Sequence, residues 1–365
     1  MEKRLLQEKI QKETLLVLEN YKQASVELGT GVGKTLLGLK HMVKHYTDYC
    51  SFLVIVPKLT VKDSWLSEIK THGYEFLIEH IQFTTYRSLN KASVKYDWTY
   101  ADECHNLTDS HANWLTEHSR INGNILGLTG TYPKRGSKKE LCDEFIPKVF
   151  EYSIDEGTEA GMLNDYRIYV HMLELSNKPT LIKKNKSGGR WKTSELKDYY
   201  GLNSAIDKAF GKKKLMMRLY RMKSMQQYDT KVNYVKDILK KIPVKTLIFA
   251  NTKEQADIIS KHSVYSKHPR GKENLKDFSD GKIYRLSCVE QLSESININD
   301  LQVGIIMHAF SNDTKTRQKI GRFLRLVVNK KAKIHILCYK NTIDETWVKN
   351  ALESFDQSKI KYHTP

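Results

Sequence analysis

The sequence predicts an α/β chain in two units, each a parallel sheet flanked by helices. Three observations carry this reading. Short apolar, β-branched or aromatic runs recur along the chain, helical periodicity fills several of the intervals between them, and the alternation breaks in a polar, basic stretch over Asn177–Ser224. Strands that alternate with helices close into parallel sheets covered on both faces. The 365 residues are enough for about two domains of ~150 residues each.

Taken in order, a short segment Ala24–Leu28 is followed by a glycine loop and a helix from Leu36, where Leu36, Leu39, Val43 and Tyr46 share one face at i, i+3, i+7 and i+10. Further strands are expected at Ser51–Val56, Ile81–Tyr86, Trp98–Glu103, Asn124–Thr129, Arg167–Leu175, Lys245–Asn251, Ile283–Cys288, Val303–Phe310 and Lys333–Tyr339. The expected boundaries are a first domain over 1–160, a connecting strand and basic insert over 161–224, and a second domain over 225–365.

Composition narrows the function classes. With 40% hydrophobic residues, disorder is excluded as the main state, and no window reaches the ~18 consecutive apolar residues of a membrane helix. Nor has the N-terminus the apolar core of a signal peptide. The five cysteines form no CxxC pair and no Cys/His cluster at zinc spacing, so reduced thiols and a cytoplasmic setting are expected. Lys and Arg outnumber Asp and Glu by 60 to 42, a net charge of +18, which points to an acidic partner, nucleic acid first among them. The charge is concentrated: Lys178–Lys223 holds fourteen Lys and Arg against Glu195, Asp198 and Asp207, interleaved with Trp191, Tyr199, Tyr200, Phe210 and Tyr220. Phosphate contact plus base stacking suits such a mixture, with Lys212, Lys213 and Lys214 as candidate contacts.

Three motifs carry chemistry. Gly29-Thr30-Gly31-Val32-Gly33-Lys34-Thr35 lies between a strand and a helix. Its backbone N–H groups can curl around phosphate oxygens, Lys34 can reach the β- and γ-phosphates, and the Thr35 hydroxyl can ligate Mg²⁺. Leu28 stands where the strict GxxxxGK[ST] pattern has glycine. Sixty-eight residues after Lys34, Asp102 and Glu103 end an apolar strand and are followed by Cys104-His105. Asp102 suits the metal, and Glu103 suits orienting and deprotonating a water. Late in the chain comes Gln318-Lys319-Ile320-Gly321-Arg322-Phe323-Leu324-Arg325, in which Arg322 and Arg325 share a helix face and can meet a γ-phosphate.

In this order the motifs resemble those of the superfamily-two helicases and translocases, in the DExH branch with two tandem RecA-like domains. The look is that of the type III restriction motor and phage branch-migration helicase group. Ile55-Val56-Pro57-Lys58 with Trp65 and Glu68 resembles motif Ia, Thr84-Thr85-Tyr86 motif Ib, and Leu128-Thr129-Gly130-Thr131-Tyr132-Pro133 motif III. Leu247–Thr252 resembles motif IV and Leu292–Ile298 motif V, where Ser295 replaces the usual glycine. The resemblance implies an ATP cleft between the two domains, with Gln11 on adenine, and Gly29, Thr30, Gly31, Val32, Gly33, Lys34, Thr35 and Asp102 on Mg-ATP. It implies Glu103, Gln318, Arg322 and Arg325 in hydrolysis, and His105, Thr129 and Thr131 in coupling. Pro57, Lys58, Thr84, Thr85 and Thr252 would contact the nucleic-acid backbone.

The function expected is an ATP-dependent nucleic-acid helicase or translocase, with ATP and Mg²⁺ as cofactors and DNA favoured over RNA. The alternatives are an RNA helicase, a duplex-DNA translocase that never separates strands, and a binding protein with a decayed ATP site. A monomer with a possible protein partner is expected. The compact core suggests a virus or mobile element, which would place it in a host cytoplasm.

Overall fold

A computed structural model of the chain describes residues 2–29, 31–121, 123–184, 187–289, 301, 303–310, 313–324 and 331–365. These residues form two compact units, dividing at Asn164/Asp165, with Leu324 grouped with the first.

The first unit contains α1 (Glu2–Leu18), β1 (Gln23–Leu28), α2 (Lys34–Lys44), β2 (Phe52–Val56), α3 (Val61–His72), β3 (Ile81–Thr85), β4 (Trp98–Asp102), α4 (Ala112–Arg120), β5 (Asn124–Thr129), α5 (Ser137–Phe145), β6 (Lys148–Tyr152) and α6 (Ile154–Glu159). Its strands pair in the order β3-β2-β4-β5-β1-β6, every pair parallel. β2 and β4 are buried along their whole length, as strands covered on both faces must be. β6, with sequence KVFEY, is an edge strand only partly buried, so its charges hid it from an apolar-run reading. The helix after the glycine loop begins at Lys34 rather than Leu36, and its deepest side chains are Leu37, Leu39 and Met42. Val43 and Tyr46 of the expected stripe pack at the border of that core.

The second unit contains β7 (Tyr166–Leu173), β8 (Leu181–Lys184), β9 (Arg190–Thr193), α7 (Glu195–Asp207), α8 (Gly211–Gln226), α9 (Asp229–Lys241), β10 (Thr246–Phe249), α10 (Lys253–Ile259), β11 (Ser263–Val264), α11 (Gly271–Ser279), β12 (Arg285–Cys288), β13 (Val303–Ile306), α12 (Asp313–Phe323), β14 (Ala332–Tyr339), α13 (Ile343–Leu352) and β15 (Ile360–His363). Its main sheet runs β11-β12-β10-β13-β14-β7-β15, again all parallel. β7 is therefore a strand of this sheet, beside β14. The insert packs on the same unit: Leu173, Leu175, Tyr199 and Met225 join one core cluster with Ile305 and Tyr339. Within the insert, β8 and β9 form an antiparallel hairpin, followed by the paired helices α7 and α8. Of the insert's aromatic residues, Tyr199 turns to the core, while Trp191, Tyr200, Phe210 and Tyr220 are exposed.

Lys231 of α9 is fully buried among the carboxyl ends of β13 and β14. Its Nζ donates to Asp344 Oδ2 (2.5 Å), Met307 O (2.8 Å) and Leu337 O (2.9 Å). No helix of the described residues is long and apolar enough to cross a membrane. All five cysteines are buried and unlinked.

Candidate nucleotide site

In an open parallel sheet, ligands bind beyond the carboxyl ends of the strands. The first sheet places β4, β5 and β1 side by side, and their ends come level because Leu128 pairs with Asp102 and Glu27 with Thr129. The glycine loop, the acidic pair and the Thr129–Thr131 segment are thereby gathered at one edge, although 68 residues separate Lys34 from Asp102.

The loop follows directly from β1. Leu28 is its last residue and wholly buried in the core, so the departure from glycine falls on a strand side chain and leaves the turn unaffected. Gly31 and Gly33 take φ of 94° and 85°, a backbone that only glycine adopts at little cost. Gln11, buried under the loop, donates from Nε2 to Val32 O (2.9 Å) and Gly33 O (3.4 Å), and its Oε1 accepts from Lys40 Nζ at 2.7 Å. A Cβ on Gly33 would sit 2.8 Å from that amide nitrogen. The adenine role expected for Gln11 would thus use an amide whose two ends the loop and α2 already engage. Thr35, half-buried in the first turn of α2, carries no side-chain hydrogen bond to another described residue. Thr30 lies outside the described residues.

Asp102 ends β4 with its carboxylate buried. Oδ2 accepts the Trp65 indole N–H at 3.1 Å, and Tyr86 O–H donates to the Asp102 carbonyl at 2.7 Å. Burial first, then the neighbouring Glu103 charge, push the Asp102 carboxyl up to about 6, against the opposing pull of Trp65 and Lys34. Glu103 takes φ 52°, ψ 55°, a left-handed conformation that costs a non-glycine residue roughly 1–3 kcal/mol. Its Oε1 lies 3.8 Å from Lys34 Nζ and its Oε2 3.4 Å from His105 Nδ1. His105 Nδ1 is 2.9 Å from the Thr129 hydroxyl, whose oxygen accepts the Thr131 N–H at 3.0 Å. His105 therefore stands between Glu103, an ionic neighbour, and the hydrogen-bonded pair Thr129 and Thr131.

Sequence reasoning missed the support behind Asp102. Trp65 of α3 is fully buried and passes Gly38 of α2 so closely that a Cβ there would meet its ring at 2.9 Å. Gly130 is also a missed contact, since a Cβ on it would meet Lys34 Nζ at 3.2 Å. No local spacing signals either one, because both are contacts between separate elements.

Among the nucleic-acid candidates, Pro57 and Lys58 follow β2, and Thr84 and Thr85 end the neighbouring β3, paired with Ile55 and Val56. These four share one sheet edge. Lys58 is exposed, Thr84 is buried, and the Thr85 hydroxyl donates to Ser88 at 3.4 Å. In the second unit Thr252 caps α10, its oxygen accepting the Gln255 N–H at 3.2 Å. Gln318 and Arg322 are half-buried, one turn apart on α12. Arg325 and the whole of Leu292–Ile298 lie outside the described residues.

No group of three or more His, Cys, Asp or Glu among the described residues is arranged to hold a metal ion. The Thr35 hydroxyl and the Asp102 carboxylate fit Mg²⁺, which takes one or two protein oxygens beside phosphates and waters.

Two family models match the chain: the res subunit of type III restriction enzymes over residues 1–134, and the helicase conserved C-terminal domain over residues 230–327. No curated protein sequence matches it. Among solved structures, the ATP-dependent type ISP restriction-modification enzyme LlaBIII bound to DNA is similar with TM-score 0.64 and 14% identity, over 98% of this chain and 31% of that one. The DUF1998 helicase MrfA bound to DNA is similar with TM-score 0.58 and 16% identity, over 95% of this chain and 48% of that one. The Pyrococcus furiosus Hef helicase domain is similar with TM-score 0.51 and 14% identity, over 95% of this chain and 97% of that one. The chain thus spans about a third of the restriction enzyme and half of MrfA. The two family matches, in the expected order and on two parallel α/β sheets, support a superfamily-two helicase with a restriction-motor-like look.

Proposed function

We propose that the chain is a Mg-dependent ATPase that moves along or unwinds nucleic acid, with DNA as its track. The observation that carries this is the convergence of the loop, Lys34, Asp102 and Glu103 at one sheet edge, tied through His105 and Thr129 to Thr131. Bound Mg-ATP would supply the phosphoanhydride whose cleavage drives the cycle. The loop N–H groups and Lys34 hold phosphate oxygens, while Thr35 and Asp102 hold the cation. Glu103 orients the attacking water and takes its proton. His105, Thr129 and Thr131 pass a change at Glu103 to the chain beyond β5. Gln318, Arg322 and Arg325 are assigned to the γ-phosphate, and Pro57, Lys58, Thr84, Thr85 and Thr252 to the strand. DNA is favoured because LlaBIII and MrfA, both similar in fold, are DNA-bound proteins.

The test is steady-state ATP hydrolysis without nucleic acid and with single-stranded DNA, duplex DNA and single-stranded RNA, each with Lys34→Ala alongside. Stimulation by DNA that vanishes in the variant supports the reading. Stimulation by RNA alone replaces the track, and stimulation by duplex without unwinding makes the protein a translocase. No hydrolysis on any track overturns the ATPase assignment.

A further inference from the structure

The insert presents two unlike surfaces. On α8, the side chains of Leu215, Met216, Leu219 and Tyr220 are exposed along one stripe, so its lysines stand among apolar groups. The β8–β9 hairpin is different. Residues alternate between its two faces, and the register pairs Ile182 with Lys192 and Lys184 with Arg190. One face therefore carries Lys184, Arg190, Lys192 and Ile182, all exposed.

The opposite face anchors the hairpin. Leu181 packs at the border of the second unit's core, and Lys183 Nζ lies 2.9 Å from Asp198 Oδ2. Asp198 also accepts from Tyr228 O–H at 2.8 Å and from the Ser224 hydroxyl. The inward lysine is thus neutralised and fixed. Lys184, Arg190 and Lys192 have no acidic partner among the described residues, and Lys178–Thr193 contains no Asp or Glu. Like charges directly opposite on paired strands destabilise a hairpin, and a two-stranded sheet has little stability to spare. Successive residues on one face of a strand are roughly 7 Å apart, and the opposed pair roughly 5 Å. A fixed array of three cations at that spacing, with no anion of its own, suits a chain of phosphates.

We propose that the outer face of the β8–β9 hairpin, through Lys184, Arg190 and Lys192, is a docking surface for the phosphate backbone of nucleic acid, additional to the expected contacts at β2, β3 and α10. The proposal rests on the motor reading for the identity of its polyanion. Carried on the second unit, the face gives that unit a grip on the track that needs no base sequence.

The experiment measures binding of the full chain to a single-stranded DNA oligonucleotide and to its duplex across a salt series. The variants are Lys184→Gln/Arg190→Gln/Lys192→Gln and, with the same loss of charge, Lys212→Gln/Lys213→Gln/Lys214→Gln. The hairpin variant is expected to flatten the log–log salt slope by about 2–3 and to weaken binding about 100-fold near 0.15 M salt. The α8 variant should change the slope less. Equal slopes for the two variants overturn the proposal in favour of a general charge effect, and a hairpin variant with the wild-type slope on both DNAs gives the face to another polyanion, such as an acidic protein. Thermal unfolding at low salt is the second readout: relief of the Lys184–Arg190 repulsion predicts a midpoint at or above wild type, and a lower one contradicts the strain argument. Failure of the motor reading looks different, because it shows as absent ATP hydrolysis on every track, whereas the salt slopes are read without ATP.

Discussion

Each unit sets a lysine against a carboxylate near the carboxyl ends of its strands, and the two pairs are built oppositely. In the second unit Lys231 and Asp344 are almost completely excluded from solvent, 2.5 Å apart, with two carbonyls completing the ammonium's bonds and the Tyr339 ring 4.8 Å away. Asp344 Oδ2 also accepts the Tyr339 N–H at 3.0 Å. In the first unit Lys34 and Glu103 keep 19% and 28% of their side-chain surface and stand 3.8 Å apart. A buried charge must be satisfied by its own chain, whereas a half-open pair can exchange its partner for a ligand. The saturated pair is fixed by its own chain, and the loose pair, in front of the buried Asp102, is the one we assign to phosphate and metal.

The largest effect should break the first half of that contrast. Lys231→Met leaves the Asp344 carboxylate buried without its cation and should cost about 3–5 kcal/mol in denaturant unfolding. Lys34→Ala should cost no more than about 1 kcal/mol in the same assay, as partly exposed pairs do. Similar losses in the two variants would erase the distinction.

Next in size is the support of Asp102. Trp65→Phe removes the indole N–H while keeping an aromatic ring in the core, and should raise the Mg²⁺ concentration for half-saturation of nucleotide binding about 10- to 100-fold. Unchanged Mg²⁺ dependence would reduce Trp65 to packing.

The smallest expected effect concerns pH. His171 and His335, adjacent in the second unit with Nε2 and Nδ1 2.9 Å apart, are each held down to about 4, by burial first. Their folded values lie below the ordinary 6.5, so between about 4 and 6.5 the unfolded chain binds more protons than the folded one. Their contribution to stability is complete above 6.5 and is lost as pH falls toward 4. Asp102 acts with the opposite sign, since its carboxyl is raised. Melting temperatures from pH 7.5 to 5 should therefore fall less steeply in His171→Gln/His335→Gln than in wild type, and parallel curves would contradict the assignment.

The same contrast separates what the sequence shows from what it hides. The loop, Lys34, Asp102 and Glu103 are legible because each motif is contiguous and chemically unusual. β2, β4 and β5 are legible because buried parallel strands are unbroken apolar runs. β6 and the β8–β9 hairpin carry charged residues within their strands and escape that criterion. Trp65 against Asp102 and Lys231 against Asp344 are hidden for another reason: in a linear sequence a buried tryptophan or lysine looks like any helical residue, and only the folded sheet brings its partner near. Leu28 shows the reverse case, an apparent defect in a motif that becomes an ordinary core side chain once the strand end is located.

The most direct test of the site is Glu103→Gln, measured for both ATP binding and turnover with DNA present. The carboxamide keeps the shape and loses the base, so nucleotide binding should stay near wild type while turnover falls about 10²- to 10⁴-fold. Turnover near the wild-type rate would show that Glu103 does not activate the water, and the account of this edge as a hydrolytic site would fail.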